Sequence, residues 1–362
     1  MEAIRERAPH AQFFGIGGAR MRASGCEAWH GAEELSVMGL AEVLPHLRRL
    51  LKLRRGLIER LLRERPDVFV GIDSPDFNLP VAAALKAAGI PTVQYVSPQV
   101  WATRQSRVVG IRKSVDLVLC VLPFEPDFYA EHGVRAEFVG HPLADAIPKT
   151  VDAAAARHAL ALSSSSQVVA LLPGSRRGEV TRLSRPFLAT AAWLRARRPV
   201  EIVVALANAP MGDEFRAATE GVTLDPPAKL VTGRAQEVMA AADAVLTASG
   251  TASLEALLVK RPMVVAYRMA AVSYWILRCM GISRLKHFSL PNLLAGHEVV
   301  AEYVQGQVRP EVLGPAVFEC LDGRMPDPNW RAEFARIHDQ LRRGASKTAA
   351  QAVLGLVGRG AA

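Results

Sequence analysis

The chain has 362 residues, half of them hydrophobic and 22% charged, which excludes a disordered chain and makes about two domains the prior. Its net charge of +9 favours anionic partners (phosphates, nucleotides, nucleic acid or acidic lipid) without choosing among them. The four cysteines, Cys26, Cys120, Cys279 and Cys320, lie far apart with no CxxC pair, which excludes a disulfide framework and a cysteine zinc site. No apolar run reaches the ~18 residues needed to span a bilayer, and Met1 is not followed by a secretory apolar core. The expectation is a cytoplasmic protein that touches membrane, if at all, from the surface.

The first apolar run is "AQFFGIGG". It lacks the full G-x-G-x-x-G, and no acidic residue ends a strand about 20 residues on, which argues against a nicotinamide dinucleotide. A basic amphipathic stretch follows, "VLPHLRRLLKLRRGLIERLLRERPD", with Arg48, Arg49, Lys52, Arg54, Arg55, Arg60, Arg63 and Arg65 between leucines. Counting from Leu47 at 100° per residue, Leu50, Leu51, Ile58, Leu61 and Leu62 share a helical face, and Arg54 lands near its centre. Burying that charge would cost several kcal/mol, so the expectation is two pieces parted near Gly56. The later piece, 57–62, is core. The earlier one is a lip that sets Val43, Leu44, Leu47, Leu50 and Leu51 beside Arg48 and Arg49, suited to an anionic lipid surface. A solvated amphipathic helix is the alternative.

Next come "VFVGID" (68–73), "TVQYV" (92–96), "LVLCVL" (117–122) and "AEFVG" (136–140), short buried-strand patterns separated by helical ones such as "LPVAAALKAAG". Strands alternating with helices mean βαβ units and a parallel sheet. "HPLADAIPKT" (141–150) breaks the rhythm and reads as a linker; His141 in it is more simply a structural hydrogen-bonder than a functional group. The rhythm restarts with "VVALLPGS", "EIVVALA", "AVLTAS" and "MVVAY", and the chain closes on two helices, "WRAEFARIHDQLRR" and "SKTAAQAVLGLV". The fold class is α/β, with two facing Rossmann-like, doubly wound domains. The boundaries expected are 1–147 for the first domain, 148–340 for the second, and a C-terminal helix in 341–362 that crosses back to the first.

Three loops suit chemistry. "LLPGSRRGE" puts Gly174 and Ser175 between a strand and a helix, where backbone N–H groups and the helix dipole suit a phosphate, and Arg176 and Arg177 add charge. It is not the Walker pattern, since no GK[ST] follows. "TASGTASLEA" repeats the device with Ser249, Gly250 and Thr251, and the Glu255 carboxylate can accept both hydroxyls of a ribose; the plain alternative is an N-capped helix start. Two such loops in one half point to a nucleotide diphosphate. "GIDSPDFN" ends a strand on Asp73, a reasonable general base, while Asp76 fits the helix cap. A metal-binding DxD is absent, arginines and helix ends suffice for a diphosphate, and no metal or cofactor is expected.

The strings "GCEAWHGAEELSVMGLAEVL", "PDVFVGIDSPDFN", "YVSPQVWA", "FEPDFY", "LLPGSRRGEV", "ASGTASLEALL", "PMVVAYRM" and "SLPNLLAGHEVVAEYVQ" occur in this order over nearly the whole chain, which thereby resembles the lipid-A-disaccharide synthase family. The resemblance implies an inverting glycosyltransferase of the GT-B type. Its implied reaction joins UDP-2,3-diacylglucosamine to 2,3-diacylglucosamine 1-phosphate, giving the β-1,6-linked disaccharide phosphate and UDP. It implies an enzyme of lipid A (lipopolysaccharide) biosynthesis, peripheral on the inner face of the bacterial inner membrane, without nucleic acid as a partner and with a homodimer open. Asp73 matches the family's proposed base, Arg176 its diphosphate-contacting arginine, and Glu255, Asn292, Glu302 and Gln305 its nucleotide-side positions.

Two departures stand out. Thr103 replaces the family's tryptophan in "WAWR". The family also begins with an apolar strand and a "GExSGD"-like loop, whereas this chain starts inside the following helix. Either the start codon is called too late or the chain is crippled; for the chain as written the expectation is a first sheet without its central strand, a poorly folded N-terminal half and no disaccharide made. The competing enzymes are other GT-B proteins acting on UDP-N-acetylglucosamine, a lipid-linked peptidoglycan transferase or a UDP-sugar 2-epimerase. The competitor of another class is a basic nucleic-acid-binding protein, against which the arginines lack interleaved aromatic residues.

Overall fold

The structure is a computed structural model that describes residues 1–35, 40–101, 105–269 and 286–357, and only the backbone of 40–46. Thr103, Cys279 and the side chains of Val43 and Leu44 lie outside the described residues. The chain divides into two compact units: Met1–Pro142 together with the segment from Leu341, and Leu143–Gln340. The division falls after Pro142 rather than after residue 147.

The first unit carries β1 (Phe14–Gly17), β2 (Glu27–Gly31), β3 (Phe69–Ile72), β4 (Thr92–Tyr95), β5 (Leu117–Cys120) and β6 (Ala136–Phe138). They form two parallel sheets, β1-β2 and β3-β4-β5-β6. β5, "LVLC", is buried throughout, as a strand covered on both faces must be. One face of the sheet packs Val118 and Cys120 on Ile111, Val115 and Tyr129. The other packs Val93, Leu117 and Leu119 on Ala349 and Val353 of helix Ala345–Val357. The last helix thus completes the core of the first unit.

The basic stretch is a single helix, Leu40–Glu64, and not two pieces parted at Gly56. Arg54 is only half-buried. Its guanidinium donates to the Asp76 carbonyl, in the first turn of the next helix, at 3.4 Å in an exposed bond, so the charge is not buried and no break is needed. Leu57 and Leu61 are core, against Val81 and Leu85 of helix Pro75–Ala87 and Phe14 and Ile16 of β1. Burying each contributes about 1.5–3 kcal/mol. Leu62, read as core, is 37% exposed: it stands one residue, or 100°, beyond Leu61 and off the contact stripe.

The second unit holds one parallel sheet of β7 (Gln167–Leu172), β8 (Val200–Leu206), β9 (Lys229–Thr232), β10 (Ala244–Ala248), β11 (Met263–Tyr267) and β12 (Ala301–Val304). The order is β12-β11-β10-β7-β8-β9. Helix Arg177–Arg195 lays Val180, Leu183, Phe187, Ala191 and Leu194 along the sheet over Val169 and Leu171 of β7 and Leu246 of β10, three and four residues apart as an amphipathic helix requires.

Candidate functional site

From β7 the chain winds outward to β8 and β9. It then returns to the other side of β7 and winds outward through β10, β11 and β12. The neighbours β7 and β10 therefore flank a topological switch point, and ligands of such sheets bind at the strand ends there. The loops leaving those two ends are 173–176 and 249–251. Strand order thus brings Gly174, Ser175 and Arg176 beside Ser249, Gly250 and Thr251.

Gly174 has φ +124°, and a Cβ there would sit 2.5 Å from Glu179 Cβ, so no side chain fits. The tight turn lets Ser175 N and Arg176 N donate to Glu179 Oε2 at 3.1 and 3.3 Å. The amides suited to a phosphate thus hold an internal carboxylate, the same chemistry supplied by the protein itself. The Arg176 side chain is largely exposed, with Nη1 3.9 Å from Glu179 Oε1, while Arg177 Nε pairs with Glu214 at 2.9 Å. On the other loop Gly250 has φ +141°. No side chain caps helix Thr251–Leu258, contrary to the capped start considered from the sequence. Ser253 Oγ donates instead to Gly250 O at 2.7 Å. Glu255, on this helix, is mostly buried; that burial raises its pKa, against a lowering by its hydrogen bond with Gln236.

The remaining nucleotide-side residues hold backbone. Asn292 is fully buried: its Oδ1 accepts from Val299 N and Val300 N at 2.7 and 2.9 Å, and its Nδ2 donates to Val300 O at 2.9 Å. Glu302 accepts from Ser289 N at 2.8 Å and Phe288 N at 3.1 Å. Gln305 grips Met269 by its N–H at 3.0 Å and its carbonyl at 3.4 Å. Ser249 Oγ donates to Phe288 O at 3.4 Å. Together these side chains stitch the segments that follow β10, β11 and β12 into one wall. Each carboxylate or amide satisfies backbone groups that the irregular chain leaves unpaired.

In the first unit, Asp73 follows β3 directly. It has φ +51°, and Ser74 has φ +39°, a left-handed pair that costs about 1–3 kcal/mol per residue and persists only where the surroundings impose it. The surroundings do so. Asp73 N donates to Tyr95 O at 2.9 Å. Asp73 O accepts from Asn78 Nδ2 at 2.7 Å and from the buried Gln94 Nε2 at 3.0 Å. Gln94 also donates to Val96 O at 3.2 Å, and a Cβ on Gly71 would come within 2.9 Å of Asn78 Cβ and 3.1 Å of Gln94 Oε1. The Asp73 carboxyl thereby stands exposed on a fixed turn. Asp76 is not the helix cap: it lies in the first turn after Ser74, and its carboxylate pairs with Arg107. His141 N donates to Leu341 O at 2.9 Å, where the chain re-enters this unit.

Sequence reasoning passed over Glu179, Gln94, Asn78 and Glu125. Glu125 accepts from Leu122 N at 3.0 Å and Trp101 Nε1 at 3.2 Å, and so anchors the loop after β4. Burial pushes its carboxyl up to about 7, partly offset by these donors. The only signal was its place in the string "FEPDFY".

A family model described as lipid-A-disaccharide synthetase matches residues 1–355. The lipid-A-disaccharide synthase of Alkalilimnicola ehrlichii is 51% identical over 361 residues, covering 99% of this chain and 94% of that protein. Among solved structures, the UDP-GlcNAc 2-epimerase of Neisseria meningitidis, bound to UDP-GlcNAc, has a TM-score of 0.60 at 11% identity over 95% of this chain and all of that one. The spinosyn rhamnosyltransferase SpnG, complexed with thymidine diphosphate, has a TM-score of 0.56 at 14% identity with the same coverage. An epimerase and a glycosyltransferase share this fold, the GT-B pair of Rossmann-like domains, so the fold does not choose the reaction. The sequence match does, and it extends along the whole chain: this protein belongs to the lipid-A-disaccharide synthetase family.

Proposed function

We propose that the protein condenses UDP-2,3-diacylglucosamine with 2,3-diacylglucosamine 1-phosphate into the β-1,6-linked disaccharide 1-phosphate, with inversion and release of UDP. The observation that carries this is the family match over residues 1–355, and the two glycine loops at the switch point suit a nucleoside diphosphate. Asp73 takes the proton from the acceptor's 6-hydroxyl as that oxygen attacks the donor's anomeric carbon. Arg176 and the amides of Ser175 and Thr251 neutralise the departing diphosphate, with Glu179 swinging off the Ser175 amide as the anion arrives. Glu255 accepts the ribose hydroxyls. Asn292, Glu302 and Gln305 keep the wall in place.

The test supplies both acylated sugars in detergent and follows UDP release together with the disaccharide by mass spectrometry. Disaccharide with stoichiometric UDP supports the reading. Epimerisation of water-soluble UDP-N-acetylglucosamine without disaccharide would replace it.

The protein works at a membrane surface. Among the described residues no helix is long and apolar enough to cross a bilayer. On helix Leu40–Glu64, Leu47 and Leu51 are 42% and 44% exposed beside the exposed Arg48, Arg49 and Lys52. Each apolar side chain contributes about 1–2 kcal/mol in the interface, and each basic one about 1 kcal/mol near anionic lipid. Changing Leu47, Leu50 and Leu51 together to serine is expected to release the protein from anionic vesicles in a sedimentation assay with its thermal transition intact. Loss of that transition would assign the leucines to the core and remove the membrane reading.

A further inference from the structure

We propose that Arg54 and Arg107 form the seat of the acceptor's anomeric phosphate, an inference that rests on the reaction proposed above. Arg54 comes from helix Leu40–Glu64, and Arg107 from the turn before helix Val108–Ser114. The two converge on Asp76, three residues after Asp73. Arg54 Nη1 donates to the Asp76 carbonyl at 3.4 Å, and Arg107 Nη2 pairs with Asp76 Oδ1.

Stability does not explain the arrangement. The Asp76 side chain is 84% exposed, and such ion pairs contribute about 0–1 kcal/mol. Arg107 here faces one solvent-exposed carboxylate, Arg54 meets only the main-chain carbonyl of the same residue, and Arg54 holds a position on an otherwise apolar stripe with Leu57, Ile58 and Leu61. A phosphate monoester, with about −1.5 to −2 charges and three acceptor oxygens, suits two forked guanidinium donors better than a single carboxylate does. It displaces Arg107 from Asp76 at little cost.

Substrate geometry agrees. In a hexose, C1 and C5 both flank the ring oxygen, so a 1-phosphate and the 6-hydroxyl lie along the same edge of the sugar. A base at Asp73 and a phosphate seat at Asp76 lie within one turn of chain. Gripping the phosphate there brings the 6-hydroxyl toward Asp73, and an acceptor without the phosphate loses that guide.

A phosphate can also come from a lipid headgroup, and the experiment separates the two sources. The KM for the acceptor is measured in neutral detergent, with and without its 1-phosphate, for wild type, Arg54→Ala, Arg107→Ala and Arg107→Lys. The expected result is a KM for the phosphorylated acceptor raised roughly 10- to 100-fold in each alanine variant, as for loss of a charge-assisted hydrogen bond. The loss on the unphosphorylated acceptor is much smaller, and the lysine variant recovers part of the preference. Equal losses on both acceptors would mean a structural role and overturn the proposal. So would a defect that appears only with anionic vesicles, which would assign the arginines to lipid headgroups. Binding of water-soluble glucosamine 1-phosphate, read by calorimetry with glucosamine as control, needs no turnover. Wild type binds it in a phosphate-dependent way and the double alanine variant does not. Equal binding overturns the seat whether or not disaccharide forms, whereas absence of disaccharide with this difference intact overturns only the assigned reaction.

Discussion

Replacing Asp73 with asparagine is expected to lower turnover by about 10²–10⁴-fold and to leave UDP affinity little changed, the signature of a lost general base. Asparagine is the informative variant because of the backbone. At φ +51° most side chains are strained, but Asn tolerates the left-handed region as Asp does. The bonds from Asn78 and Gln94 go to the Asp73 carbonyl and not to its carboxyl, so they survive the change. The variant therefore keeps the turn and removes only the proton acceptor. Single-turnover kinetics with both acylated substrates checks it, and turnover near the wild-type value would take Asp73 out of the mechanism.

Arg176→Ala comes next in size. Its guanidinium is exposed and only loosely paired with Glu179 at 3.9 Å, so it is free to follow charge that builds on the leaving diphosphate. Removing a donor that acts mainly in the transition state costs about 10²–10³ in turnover, and binding of UDP itself should weaken far less. Glu255→Ala should behave in the opposite way. A mostly buried carboxylate on the ribose hydroxyls acts on bound nucleotide in ground and transition state alike, so UDP affinity falls roughly 10- to 100-fold while turnover at saturation is largely kept. Calorimetry with UDP and initial rates at saturating donor separate the two. Unchanged UDP binding by Glu255→Ala would end the ribose assignment.

Much of the fold was legible because central strands of parallel sheets are apolar on both faces. "LVLC" and "VVALL" could be nothing else at that length. The strands that escaped, β2 "EAWHG", β9 "KLVT" and β12 "AEYV", are all at sheet edges, where one side meets solvent and the sequence turns polar. The glycine loops were legible too, since a strand running into glycine and then a helix leaves few alternatives. What stayed hidden acts across space. Nothing local says that Gln94, a polar residue inside an apolar strand, locks a carbonyl 21 residues earlier, or that Glu179 folds back onto its own loop. The break assumed at Gly56 failed for a related reason. A helical wheel shows that Arg54 points toward the core, but not that its guanidinium finds an exposed carbonyl in the first turn of the neighbouring helix.

The first unit is built from both ends of the chain. Val93, Leu117, Leu119 and Val139 have their apolar cover on one face only when Ala349 and Val353 arrive, and the entire second unit lies between them in sequence. A ribosome makes the second unit before it makes that cover. The continuous unit can therefore close while its elder neighbour still shows an apolar sheet face to solvent. Long-separated contacts are also the slowest to form, because the loop between them must be ordered first. For the cell, the vulnerable interval spans the making of the whole second unit, Leu143–Gln340, while the earlier sheet waits for helix Ala345–Val357.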